Sequence, residues 1–175
     1  NGTATLVKNS EWRDKGAGVL NDLGSHLLDT YLYWFNEQKN GFKIIASNKF
    51  ENKSYDHIVL SNELSKPRIE LEMTLLMWRN HFTCDILGER GSAHIESLCK
   101  WGPSKFILRK RIMPSGRPPE EVTTLIQDDP TWVQEYAYFR KLCMNKVYEI
   151  NKSNLSKDIW LQETLTKIAS EAEKK

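Results

Sequence analysis

The sequence predicts an α+β fold: a long amphipathic helix, then about seven mostly antiparallel strands, then two closing helices. Two observations carry that expectation. Apolar residues repeat at helical spacing over residues 16–36 and again beyond residue 130, and between these stretches the period switches to two. At 175 residues, with 39% hydrophobic and 27% charged, the chain is long enough for one core and too apolar to be disordered. Residues 1–175 are therefore expected to form a single domain. Its open sheet would be covered on one face by helices over 16–36, 130–146 and 154–175.

Taken in order, residues 3–8 alternate weakly and read as the end of a strand. Glu11-Trp12-Arg13-Asp14-Lys15 then leads through Gly16-Ala17-Gly18 into the first helix, about five turns long and ending near Asn36. Leu20, Leu23, Leu27, Tyr31 and Trp34 form its apolar stripe, widened by Leu28, Leu32 and Phe35. Asp22, His26, Asp29 and Tyr33 fall on the opposite side, which puts a carboxylate and an imidazole one turn apart. Such a face is either solvated polar surface with a modest ion pair or a proton relay, in which the carboxylate orients a histidine that titrates near neutrality. Gly24, between the two, costs a helix about 1 kcal/mol relative to alanine. Either a ligand or a tightly packed strand must then approach the helix there.

The run Gly16-Ala17-Gly18-Val19-Leu20-Asn21-Asp22-Leu23-Gly24-Ser25-His26-Leu27-Leu28-Asp29 resembles the Gly-Gly-Gly-x-x-x-Asp-x-Gly-x-His-x-x-Asp signature of the glucose–fructose oxidoreductase and inositol dehydrogenase (Gfo/Idh/MocA) family. Ala17 replaces the middle glycine. The order of the following elements extends the resemblance over essentially the whole chain. Members join an N-terminal Rossmann domain to a C-terminal α+β domain that holds substrate and often mediates oligomerisation. The resemblance implies that Asp22 and His26 are the active-site pair. It also places the approach segment near the substrate pocket, which makes Arg13 a candidate substrate contact.

The same resemblance implies two things that the chain lacks: a catalytic lysine in a Glu-Lys-Pro motif and a Gly-rich dinucleotide turn. Lys66-Pro67 follows Ser65 between two strand-like runs and is not that motif. Gly16-x-Gly18 lacks the third glycine and the preceding βαβ context of a nucleotide fingerprint. The chain, which begins at Asn1 without methionine, is thus expected to be the C-terminal part of a two-domain enzyme whose NAD or NADP is bound by a missing N-terminal domain. No cofactor is expected on this chain alone.

Strands are expected over 42–50, 55–60, 69–78, 82–87, 93–98, 106–113 and 122–126. The alternation of Ile69, Leu71, Met73, Leu75 and Met77 is the cleanest of these signals. Gly88-Glu89-Arg90-Gly91-Ser92 reads as a hairpin whose glycines supply positive φ. Lys105, Arg109, Lys110, Arg111 and Arg117 form one basic cluster, read as the charged side of an edge strand rather than a nucleic-acid patch. His57, His81 and His94 sit in separate strands without shared spacing, so a metal site is not expected. Asp129-Pro130 opens a helix with Trp132, Tyr136, Phe139 and Cys143 on one face. The last helix carries Leu161, Leu165, Ile168 and Ala172 as its buried stripe.

The net charge of +2 gives no reason to expect nucleic acid or membrane as a partner, and no apolar run reaches a membrane span. Three cysteines without ligand-like spacing read as buried thiols in a cytoplasmic protein. Asn-x-Ser/Thr sequons at Asn1, Asn52, Asn151 and Asn154 are taken as chance. Apolar residues on the open sheet face predict a homo-oligomer. Two functions follow from the resemblance: the substrate half of a dehydrogenase acting on a sugar or cyclitol hydroxyl, or a non-catalytic sugar-binding or oligomerisation module. Nucleic-acid binding, resting on the basic cluster alone, is a third.

Overall fold

The computed structural model describes residues 18–36, 41–62, 66–77, 79–145 and 150–174; side-chain burial is not described at 145 or 150–154. In chain order the elements are a π-turn (Leu20–Gly24), α1 (Ser25–Phe35), β1 (Lys43–Asn48), β2 (His57–Ser61), β3 (Glu70–Thr74), β4 (Thr83–Gly88), β5 (Gly91–Glu96), a 3₁₀ turn (Cys99–Trp101), β6 (Ser104–Lys110), β7 (Glu120–Leu125), α2 (Thr131–Asn145) and α3 (Ile150–Ala172). The fold is α+β, and every strand pairing is antiparallel. Hydrogen bonding divides the seven strands into two sheets, ordered β1-β2-β3 and β4-β5-β6-β7. Each sheet belongs to its own compact unit: Asn1–Arg79 with Tyr148–Lys175, and Asn80–Val147.

In the first unit, helices cover one face of the three-stranded sheet. Ile44, Ile58, Leu60, Met73 and Leu75 supply the sheet's share of the core, and Leu20, Leu28, Tyr31 and Leu32 supply the first helix's. Trp160, Leu165, Ile168 and Ala172 from α3 complete it, close to the expected stripe, with Leu161 only partly buried. Full burial of each large aliphatic side chain here is worth roughly 1.5–3 kcal/mol. Tyr31 packs edge-on against Phe42 with ring centroids 5.4 Å apart and lies 6.0 Å from Trp160, joining α1, the β1 approach and α3.

The first helix differs from its expected form in one respect. Leu20–Gly24 is a single π-turn set between helical residues at Gly18–Val19 and the regular α-helix from Ser25. Burial then follows Leu20, Gly24, Leu28 and Leu32, so Trp34, expected in the stripe, is 40% exposed. The extra residue of the π-turn rephases the helix, so that Leu23 and Leu27 are only partly buried while Tyr31, three residues beyond Leu28, stays in the core. Asn36 closes the helix in the left-handed conformation (φ 48°), its amide donating to the Leu32 carbonyl across 2.9 Å. At Gly24 the approaching group is a strand, because an added Cβ would stand 2.9 Å from Met73 Sδ on β3.

β3 is shorter than its alternation suggests. The Thr74 hydroxyl accepts the Leu76 amide (3.1 Å), a local partner that replaces the ladder and ends the strand. Met77, expected on the core side, is 38% exposed.

The second unit is a four-stranded meander. Gly88 pairs with Gly91 across the two-residue turn Glu89-Arg90. Neither glycine has positive φ, contrary to expectation. Gly91 is needed for proximity instead: an added Cβ would lie on the Arg109 carbonyl oxygen of β6. β6, expected at an edge, is interior, with β5 on one side and β7 on the other. Its cations are met across the strands, Lys105 by Glu96, Arg109 by Glu120 and Lys110 by Glu121. The Lys110–Glu121 hydrogen bond raises the lysine's pKa and lowers the glutamate's.

α2 starts as expected. The Asp129 carboxylate accepts the Thr131 amide (3.0 Å) and hydroxyl (2.6 Å), and these bonds lower its pKa. The helix buries none of its expected face, however: Trp132, Tyr136, Phe139 and Cys143 are all exposed. Cys143 is therefore not one of the expected buried thiols, and Cys84 and Cys99 are half-buried. Among the described residues no helix is long and apolar enough to cross a membrane, and no cluster of His, Cys, Asp and Glu could hold a metal ion.

Candidate functional site

Asp22 sits inside the π-turn and His26 in the first turn of α1, so the pair straddles the junction of the two helical forms. Asp22 is half-buried and His26 exposed. Below them the Ser25 hydroxyl donates to the Asp22 carbonyl (2.9 Å) and the Thr30 hydroxyl to the His26 carbonyl (2.8 Å), holding the local backbone. Asp29 and Tyr33 continue the polar side and are exposed. Arg13 lies outside the described residues. Gly24, between the pair, faces the opposite way, against Met73. The pair's helix is thus pressed on its inner side against β3 and open on its outer side.

The start of this helix is anchored by residues that the sequence does not flag. Gly18 has φ 50°, a conformation glycine tolerates, and an added Cβ would stand 2.8 Å from the Tyr55 carbonyl oxygen. The Val19 amide donates to that same oxygen across 2.8 Å. Tyr55 is held at its other end by its hydroxyl, which donates to the Ala172 carbonyl of α3 across 2.6 Å, and by Lys49, whose ammonium sits 4.5 Å from the ring centroid.

Behind Tyr55 is Asp56, whose side chain is fully buried. Its carboxylate accepts the amides of Phe50 (3.0 Å to each oxygen), Glu51 (2.7 Å) and Asn52 (3.1 Å), and the Asn52 side-chain amide (3.2 Å). Burial works to raise this group's pKa, but the bonds from Phe50, Glu51 and Asn52 outweigh it and hold the carboxyl below its usual range. One buried carboxylate therefore folds the β1–β2 loop, and the loop presents the carbonyl on which the site helix begins. The sequence signal is limited to an aspartate directly before an apolar strand, preceded by a polar loop.

No family model, curated protein or solved structure matches this chain.

Proposed function

We propose that the chain is the substrate-binding part of an NAD(P)-dependent oxidoreductase acting on a sugar or cyclitol hydroxyl, of the kind found in the Gfo/Idh/MocA family. The observation that carries this is the exposed His26 imidazole one helical turn beyond the half-buried Asp22, on a helix fixed at its start and packed along its inner side. In this reading His26 takes the proton of the reacting hydroxyl, while Asp22 orients the imidazole and accepts a hydrogen bond from a neighbouring hydroxyl. Arg13 is placed at the substrate by the resemblance alone.

One hydrogen bond supports placing the dinucleotide elsewhere. The Val19 amide at the helix start, which would face a pyrophosphate, is already taken by Tyr55. This reading assigns the cofactor to a separate N-terminal domain, and the protein to the cytoplasm. Substituting His26 by Ala in the intact enzyme is expected to lower kcat by about 10²–10⁴-fold, the usual contribution of a general base. Near-full turnover would remove the relay role.

The second unit favours an additional role in assembly. One face of its sheet carries Cys84, Ile86, Ile95, Phe106, Leu108 and Leu125, and of these Ile86, Phe106 and Leu125 are each more than 40% exposed. Pairing with a second copy of the chain would cover that face. Sedimentation across a dilution series is expected to show a dimer or larger species; a monomer at every concentration would sink this role. If the chain associates while Asp22 and His26 variants leave turnover unchanged, it is a binding or oligomerisation module.

A further inference from the structure

The other face of the four-stranded sheet carries a row of polar groups that the dehydrogenase reading does not use. Asp85 on β4 pairs with His94 on β5, and Ser92, two residues before His94, shares its face. The Asp85 Oδ1 lies 2.5 Å from His94 Nδ1, and the Ser92 Oγ lies 2.8 Å from His94 Nε2. His94 is only 17% exposed and Ser92 half-buried, whereas Asp85 is open to solvent.

The polarity of this chain of bonds follows from the groups themselves. An ionised carboxylate only accepts, so Nδ1 of the neutral ring carries the hydrogen. Nε2 then holds a lone pair, and the Ser92 hydroxyl must donate to it. The same logic applied to His57 gives a different result. Glu72 accepts from Nε2 (3.0 Å), and Nδ1 takes its bond from the Asn48 amide (3.1 Å), which is no nucleophile. Of these two histidine bridges only the one at His94 ends on an atom that can attack.

We propose that Ser92 is a nucleophile activated by His94 and Asp85, and that it accepts acyl groups from activated esters. Ser92 Oγ adds to the ester carbonyl as its proton moves to His94 Nε2. The C–O bond to the leaving alcohol breaks and that proton departs with the alcohol, leaving an acyl-serine. Water then attacks the acyl carbon, His94 takes the water's proton and returns it to Ser92 Oγ, and the acid is released. No electrons are transferred. Arg109 lies directly across from Ser92 on β6, its Nε donating to Glu120 (2.6 Å), and its Nη groups are the donors this proposal assigns to a developing oxyanion. Leu87, opposite Ser92 on β4 and 81% exposed, offers an apolar surface for a short acyl chain.

The experiment is labelling of the full chain with a biotinylated fluorophosphonate, with the adduct located by peptide mass spectrometry. One adduct per chain on Ser92 is expected, with labelling slowed at least 100-fold in His94→Ala and at least tenfold in Asp85→Asn. p-Nitrophenyl acetate is expected to acetylate the same serine. Labelling at other serines with Ser92 untouched would overturn the proposal. An unchanged rate in a His94→Ala chain whose circular dichroism matches the parent would overturn it equally. The wild-type labelling site decides the matter even if a variant fails to fold.

Discussion

The Val19 amide donates to the Tyr55 carbonyl across 2.8 Å, and Gly18 lies against the same oxygen. This one carbonyl ties the first turn of the helix bearing Asp22 and His26 to the loop that precedes β2. The position of the candidate site therefore depends on a loop more than thirty residues away in the chain, and through it on Asp56.

Gly18 is the first test. Alanine there would take up a left-handed conformation, at about 1–2 kcal/mol, and press its Cβ on the Tyr55 carbonyl. Gly18→Ala is expected to lower stability by about 2 kcal/mol or more in urea denaturation. Gly24→Ala is expected to cost less, since its close neighbours are the Met73 thioether and a Leu20 methyl, both able to shift, and alanine returns helix propensity.

Asp56 is the second. Asp56→Asn removes the charge that gathers the Phe50, Glu51 and Asn52 amides and is expected to cost roughly 2–3 kcal/mol. The folded pKa lies below its ordinary value of 3.8, so this stabilisation is complete above that value. It is lost as pH falls through the lower, folded pKa. Urea midpoints measured from pH 6 down to pH 2 are expected to fall more steeply for the parent than for Asp56→Asn, and parallel curves would contradict the assignment.

Gly91 is the third. A methyl group there meets the Arg109 carbonyl on β6, a backbone atom with little freedom to move. Gly91→Ala is expected to destabilise the second unit by roughly 3 kcal/mol, near the top of the range for overpacking. Hydrogen exchange should accelerate in β5 and β6 and stay unchanged in β1–β3.

The thiols give a fourth. Burial, then the charge of Asp85, raises the Cys84 pKa, while Cys143 is exposed. Because the thiolate is the reactive form, an aromatic disulfide reagent at pH 8 is expected to modify Cys143 well before Cys84. Asp85→Asn should narrow the gap.

Much of this was legible in residue patterns. All seven strands, the closing helices and the core stripe of α3 follow from periodicity, although only the first unit buries its patterned faces, and α2 and β7 leave theirs exposed. The misreadings share a cause. Trp34 falls in the expected stripe because an ideal 3.6 period cannot anticipate one inserted residue. Gly88 and Gly91 suggest positive φ because proximity to β6 depends on strand order, which local sequence does not encode. β6 reads as an edge for the same reason, although the glutamates that answer its cations lie on its neighbours. Asp22 and His26 are singled out by helical spacing and by the resemblance. Asp56 and Tyr55 act on that pair through backbone atoms, which side-chain spacing cannot reveal. Once the turn is fixed at Glu89-Arg90, Asp85 must face His94, so that juxtaposition was one register choice away from being read.

The π-turn at Leu20–Gly24 separates two angular settings along one continuous helix. A one-residue change in its length rotates everything before it by about 100° relative to everything after it. α1 could then keep Leu28 and Leu32 in the core while Gly18 and Val19 swung away from Tyr55. The five residues act as a spacer whose count sets the angle between the two settings. Shortening the segment to a plain α-turn would leave a well-folded helix whose carboxylate no longer stands in step with its imidazole.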